Sequence, residues 1–322
     1  MRDLMEKFGW TEPLMPMNAK DAKDKLEDLM KNDNYVAELK YDGSRYLCVG
    51  TPEGGRFFSR KKSENKKNPE MLGMPVEKTA NVPHLSEAFK KLPFIVDGEV
   101  FYPGKKSNDV TKIMGADPEK AVARQEGEHG WLHYMVYDIL YYKGRDVRGF
   151  PWYERRNMLE EAYSEYLSGH ELIHLSDVYY TEPEKRRLLK WAEEHNEEGI
   201  MLKNKNGIYL SDKRPEHNWY KVKGEITYDV VIMGYEPGKG KYEGMIGSIV
   251  FGLYKDGKLT KAGTCSGMTD TMRQELTVNG ESYTGKVIEI KAMERTDKGL
   301  FRHPRFIRFR NDKNAKDCLW ED

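Results

Sequence analysis

The sequence predicts an α+β protein of two domains. The larger N-terminal domain has antiparallel sheets flanked by helices, and a small C-terminal β-barrel begins near residue 225. Three observations predict this. The chain has 322 residues, which suits two domains at roughly 100–200 residues each. Up to residue 224, short apolar β-rich runs alternate with segments of helical spacing. After Gly224 short strands follow at close intervals, divided by Gly-rich turns such as Pro237-Gly238-Lys239-Gly240 and Lys255-Asp256-Gly257-Lys258. That texture is the one expected of a small barrel.

The elements follow in order. Asp21 to Asn34 has helical spacing, with Leu26, Leu29 and Met30 on one face. Tyr35 to Leu39 and Ser44 to Val49 read as strands flanking a Tyr41-Asp42-Gly43 turn. Phe94 to Val96 and Val100 to Tyr102 read as two short strands broken by Asp97-Gly98. Leu132 to Tyr142 is a long apolar run, hence a buried strand, and Tyr153 to Leu167 and Glu182 to Asn196 are helical. Ile200 to Lys203 and Trp219 to Val222 are strands. In the second domain the strands are Val230 to Tyr235, Ile249 to Tyr254, Leu259 to Gly263 and Val287 to Met293, with one helix over Met268 to Leu276.

Composition narrows the class. Hydrophobic residues are 38% and charged residues 33%, so a core forms beneath a strongly polar surface. The 20 tyrosines and six tryptophans exclude a disordered chain, which would be poor in aromatics. No run approaches the ~18 apolar residues of a membrane span. Met1 to Trp10 carries charges throughout and lacks the apolar region of a secretory signal. The three cysteines, Cys48, Cys265 and Cys318, lie far apart without metal-ligand spacing, which fits a reducing, cytoplasmic compartment. The net charge of zero weighs mildly against nucleic-acid binding. It is unevenly spread, however: Lys286 to Lys316 holds ten basic and four acidic residues, so a neutral total can conceal a basic face.

The sharpest motif is Glu38-Leu39-Lys40-Tyr41-Asp42-Gly43-Ser44-Arg45. A lysine attacks phosphorus only as the free amine, so a nucleophilic lysine needs burial or neighbouring cations to depress its pKa from about 10.4. A position just after an apolar strand, with Arg45 nearby, suits that role. On these residues alone a charged hairpin with an Asp-Gly turn reads equally well. Downstream stand Phe58-Ser59-Arg60, Val96-Asp97-Gly98-Glu99-Val100, Tyr134-Met135-Val136-Tyr137-Asp138-Ile139-Leu140, Glu198-Gly199-Ile200-Met201-Leu202-Lys203, Trp219-Tyr220-Lys221-Val222-Lys223 and Arg308-Phe309-Arg310-Asn311-Asp312-Lys313. Lys221 and Lys223, two apart on a strand, share a face, and two ammonium groups on one face suit a phosphate.

Taken in this order the motifs resemble those of the covalent nucleotidyltransferase superfamily, and within it the minimal ATP-dependent DNA ligases of phages and bacteria. The resemblance spans residues 38 to 313. It implies an adenylation (nucleotidyltransferase) domain over 1–224 and an OB-fold DNA-binding domain over 225–322. The chain is expected to seal nicks in duplex DNA through AMP carried on Lys40. Lys40, Asp42, Lys221, Lys223 and Arg310 are then catalytic. Glu38, Arg45, Arg60, Glu99, Tyr137, Asp312 and Lys313 join the lysines and Arg310 in holding the nucleotide. Tyr137 stacks on the base, Glu38 lies beside adenine, and Arg45 and Glu99 meet the ribose. Glu99 and Glu198 hold magnesium or manganese, which needs only one or two protein carboxylates beside phosphate and water. Asp138 is expected to be structural, and the eight histidines have no catalytic role.

The resemblance further implies ATP as cofactor and nicked double-stranded DNA as partner. It implies a monomer in the cytoplasm of a bacterial or phage-infected cell, serving replication, repair or recombination. Only 37 residues precede Glu38, so no separate N-terminal DNA-binding domain is expected. A hinge is expected around Gly224, with Lys239 and Lys241 joining the grip on DNA. RNA ligases and mRNA guanylyltransferases share the lysine, acidic and Arg-x-Asp-Lys motifs, and a non-catalytic nucleic-acid-binding protein on the same fold is the reading from another class.

Overall fold

A computed structural model describes residues 1–195, 197–223, 226–292 and 300–320, with backbone alone for Glu128 and Ile226. The chain divides into two compact units, Met1–Val222 and Lys223–Asp322. The strands of the first are β1 (Lys20–Asp21), β2 (Tyr35–Leu39), β3 (Ser44–Gly50), β4 (Gly55–Lys62), β5 (Pro75–Glu77), β6 (Ile95–Phe101), β7 (His133–Tyr142), β8 (Arg145–Asp146), β9 (Ile173–Leu175), β10 (Gly199–Asn204) and β11 (Trp219–Lys223). They form two sheets. One has the order β1-β11-β10-β2, and the other runs β5-β4-β3-β6-β7-β8 with β9 beside β7. Pairing is antiparallel in the ladders that carry the motifs, while the short strands β1 and β9 pair in parallel with β11 and β7.

The burial pattern explains these choices. In β2, Tyr35, Val36, Ala37 and Glu38 are buried in succession, the mark of a strand covered on both faces. The helix Glu182–Glu194 packs Leu188 and Ala192 against Tyr35, Ala37, Ile200 and Leu202. It starts at a capping box in which the Thr181 hydroxyl accepts from Glu184 N and the Glu184 carboxylate accepts from Thr181 N, satisfying two otherwise orphaned donors. A separate cluster joins the two sheets: Trp219 of β11, with Tyr209 and Met17, packs on Leu47, Val49, Phe58, Ile95 and Leu140.

Three details differ from the sequence expectation. Asp97-Gly98 does not break a strand. β6 runs through it, and the register against β7 shifts there. A Cβ on Gly98 would lie 2.4 Å from Met135 O, so the glycine serves close strand approach rather than a turn. The segment from Asp21 to Asn34 holds a short 3₁₀ turn, Lys23–Lys25, before the helix Leu26–Lys31. β2 and β3 lie in different sheets, so the intervening residues do not form a hairpin.

In the second unit β12 (Ile226–Pro237), β13 (Ile246–Lys255), β14 (Lys258–Cys265), β15 (Val287–Ala292) and β16 (Arg305–Phe309) take the order β14-β13-β12-β15-β16. Just past β14, Ser266 bridges to Arg305 of β16 in parallel, and Phe306 N donates to Ser266 O at 2.7 Å. This contact joins the two outer strands and closes a five-stranded barrel over Val231, Phe251, Leu253, Ile288 and Ile290. The helix Asp270–Asn279 is capped by the Thr269 hydroxyl and buries Leu276.

Candidate active site

Lys40 stands where the chain passes from one sheet to the other. Its backbone N donates to Gly199 O at 2.9 Å, extending the β2–β10 ladder by one residue. Four residues later Ser44 opens β3 in the second sheet. Gly43 is pressed onto β6: a Cβ there would lie 2.2 Å from Val100 O and 3.0 Å from Glu99 Cγ. The Lys40 ammonium donates to Glu198 Oε2, and both side chains are about one-fifth exposed, 22% and 23%.

Glu99 faces this pair from β6, in register with Arg45 of β3. Burial pushes its carboxyl up to about 8; Lys40 and Arg45 oppose the shift, and Glu198 and Asp97 add to it. A carboxyl that holds its proton near neutrality is one short of positive charge. Two carboxylates from opposite sheets fit a magnesium ion that takes its remaining ligands from water and phosphate. Among the described residues no group of three or more His, Cys, Asp or Glu side chains could form a closed metal cage.

Arg45 is held from below. Its guanidinium fork donates to Asp97 at 2.9 Å and 2.5 Å and to Met17 O at 2.6 Å. Asp97 is fully buried and also accepts from Tyr209 OH at 2.7 Å. Glu38 is buried as well, 2.8 Å from Lys203 Nζ, and it accepts from Ser176 Oγ at 3.0 Å. Lys203 Nζ lies 4.6 Å and 4.5 Å from the ring centres of Tyr137 and Trp219, a desolvated cation–π arrangement. Burial pulls the Lys203 pKa down while Glu38 pulls it back.

The remaining predicted residues are distributed as follows. Tyr137 is half-buried and edge-on to Trp219. Asp42 is half-buried and Arg60 exposed, and neither makes a hydrogen bond or ion pair among the described residues. Lys221 is 3.5 Å from Asp21, and Lys223 ends β11 at the start of the second unit. Arg310, Asp312 and Lys313 belong to the barrel unit. There Arg310 is ringed by acids: Asp229 at 3.0 Å, Asp312 at 2.9 and 3.0 Å, and Glu289 at 3.7 Å. Its hydrogen bonds hold Asp312 down at about 2. Lys313 approaches Asp229 at 3.8 Å.

Sequence reasoning missed Asp97, Ser176, Lys203, Tyr209 and Asp229. Of these, Asp97 and Lys203 carried a local signal, Asp97 inside the Val96–Val100 motif and Lys203 as the charged end of an otherwise apolar strand. Asp138 is structural, as expected: it is buried and bound by both prongs of Arg155 at 2.8 Å. Beside the lysine motif, Tyr41 packs on Phe101 (5.3 Å between ring centres), and Phe101 packs on His133 and His174. Those imidazoles are stacked, with His133 Nδ1 2.7 Å from His174 Nε2.

Comparison with known proteins agrees with this geometry. Residues 16–223 match the ATP dependent DNA ligase domain. This chain belongs to the ATP-dependent DNA ligase family. Residues 237–310 match the DNA ligase OB-like domain, which accounts for the barrel. DNA ligase 2 of Methanosarcina mazei is 28% identical over 355 residues, covering 98% of this chain and 59% of that protein. The DNA ligase of vaccinia virus (strain Ankara) is 28% identical over 278 residues, covering 82% and 47%. The chain therefore spans about half to three-fifths of the length of these relatives. A solved structure from a study of DNA binding by minimal-scaffold Lig E DNA ligases shares the fold, with a TM-score of 0.54, 19% identity, 92% of this chain and 99% of that one.

Proposed function

We propose that this chain seals nicks in duplex DNA in three phosphoryl transfers, with Lys40 as the carrier of AMP. The observation that carries the reading is the contact of Lys40 with Glu198 at the junction of two sheets, faced by Glu99. In the first transfer Lys40 Nζ, having given up its proton, attacks the α-phosphorus of ATP. The bond to pyrophosphate breaks and a phosphoramidate forms. In the second, an oxygen of the 5′-phosphate at the nick takes AMP as the P–N bond breaks. In the third, the 3′-hydroxyl attacks that 5′-phosphate and AMP leaves.

Such chemistry depends on placement and charge neutralisation more than on elaborate side chains. Glu99 and Glu198 would hold a magnesium or manganese ion, which supplies neutralisation of the phosphate oxygens. Lys221 and Lys223 take the α-phosphate, and Asp42 lies by the 3′-hydroxyl. Tyr137 offers a ring to the base. Glu38, held by the Lys203 ammonium and the Ser176 hydroxyl, lies beside the base. Arg60 switches between the nucleotide and the nick phosphate. Arg310, Asp312 and Lys313 orient the departing pyrophosphate. On this reading residues 1–224 are the adenylation domain and 225–322 the DNA-binding barrel. The hinge proposed at Gly224 lies outside the described residues.

The test is to incubate the pure protein with labelled ATP, magnesium and a nicked duplex. A lysine-bound AMP and a closed strand are expected, and Lys40→Ala abolishes both. Sealing that persists in Lys40→Ala overturns the nucleophile assignment. An adduct formed from α-labelled GTP instead of ATP would favour the mRNA guanylyltransferase reading.

A further inference from the structure

The motifs leave unexplained a set of exposed cations on the first unit. β4 ends in Arg60, Lys61 and Lys62, and the arm from there to β5 carries Lys66 and Lys67. Register fixes where this arm starts. Tyr46 pairs with Ser59 and Leu47 with Phe58, so β4 leaves the sheet beside the first residues of β3, a few positions from Lys40. The arm is built rather than loose. Ser63 N donates to Met74 O at 2.7 Å, Gly73 N to Ser63 O at 2.9 Å, and Arg2 Nε to Glu70 O at 2.6 Å. Met74 packs on the cluster between the sheets.

A second segment, 150 residues away, is clipped to it. Lys62 Nζ donates to Asp212 Oδ2 at 2.7 Å, which brings Lys213 and Arg214 alongside. That loop is fastened to the wall of the site: Asn18 N donates to Lys213 O at 2.8 Å, and Tyr209 OH reaches Asp97. The two segments, 60–67 and 211–214, hold seven basic residues against two acids, Glu64 and Asp212, in a chain of zero net charge. Lys61, Lys66, Lys67, Lys213 and Arg214 are exposed and pair with no acid among the described residues. The cations stand among Ser and Asn with no aromatic ring in either segment. That composition suits phosphate contacts, which position a duplex, and not base reading.

We infer that the β4–β5 arm and the 211–214 loop together form a track for the phosphate backbone of duplex DNA beside the nick. Arg60 lies at its inner end and Lys66–Lys67 at its outer end. The inference rests on the ligase reading for its substrate. It adds that the first unit grips the duplex with its own surface, independently of the barrel.

The test uses the full chain with Lys61, Lys66, Lys67 and Lys213 changed to alanine together. Affinity for a labelled nicked duplex is measured across salt concentrations, and AMP loading from ATP is measured without DNA. Each lost phosphate contact removes about 0.9 from the slope of log affinity against log salt. The variant should therefore lose roughly 3.6 from that slope, and tenfold or more in affinity at about 0.1 M salt. AMP loading should equal that of the parent, and the matching lysine-to-arginine variant should restore affinity. Unchanged affinity and slope with intact loading would overturn the track, as would a raised KM for ATP. A parent protein that never loads AMP would sink the ligase reading, whereas the duplex measurement would still decide the track.

Discussion

Arg45 grips Asp97 with both prongs of its guanidinium, Nε to Oδ1 at 2.9 Å and Nη2 to Oδ2 at 2.5 Å, and Asp97 has no exposed surface. Removing one partner of a buried, doubly hydrogen-bonded pair leaves the other charge stranded, typically at a cost of about 3–5 kcal/mol. Asp97→Ala should lower stability by that order, read from urea unfolding midpoints. It should also lose AMP loading, because Arg45 sits across from Glu99 on the neighbouring strand. Unfolding midpoints equal to the parent's would show the pair to be dispensable.

Gly43→Ala tests the passage between sheets. The added methyl meets the backbone oxygen of Val100 at 2.2 Å, and a strand oxygen cannot step aside as a flexible side chain can. The segment bearing Lys40 must shift instead. Displacement of a reacting group by about 1 Å can cost on the order of 10²-fold in rate. AMP loading should fall by that order while the chain stays folded by circular dichroism; loading within threefold of the parent would contradict the assigned close approach.

Arg310→Ala separates the first chemical step from the later ones. With the pyrophosphate role proposed for it, loading from ATP should fall far more than closure of a nick already carrying 5′-AMP. Arg310→Lys should rescue poorly, since an ammonium cannot reproduce the fork now shared between Asp229 and Asp312. Equal losses in the two assays would remove the role.

The stacked pair His133 and His174 predicts acid sensitivity. Burial pulls both imidazoles below their usual pKa, and in His133 its partner adds to the shift. A histidine with a depressed folded-state pKa contributes stability that is present above about 6.5 and lost as pH falls toward the folded value. Below pH 6.5 the unfolded chain therefore takes up protons that the fold refuses. Urea midpoints should decline from pH 7 to pH 5, and less steeply in His174→Gln. Parallel declines in the two proteins would clear the pair of this role.

Much of the fold was legible because its signals are local. β2 ends at Leu39 in both readings, and the helix at Glu182 announces itself through the Thr181–Glu184 capping box. Asp97-Gly98 misled because a bulge inside a buried strand and a turn between two strands share the same dipeptide. The hairpin reading of Tyr41-Asp42-Gly43 failed for a different reason: nothing in the spacing tells whether successive strands pair with each other or enter separate sheets. In the site, Lys40, Glu198 and Glu99 were marked by type and order, and the fold brings them together. The partners were not marked. Asp229 lies 81 residues from Arg310, and Ser176 138 residues from Glu38, so their pairing is a property of the tertiary packing alone.

Glu198 stands one residue ahead of β10 in one sheet and Glu99 lies within β6 of the other, so the gap between them spans the two sheets. That gap is inherited from hydrocarbon wedged deeper in the domain, Trp219 and Tyr209 against Leu47, Phe58 and Ile95. The interior thereby acts as a gauge block for the rim. Trimming a ring of that wedge, although it touches neither carboxylate, would move one of them relative to the other.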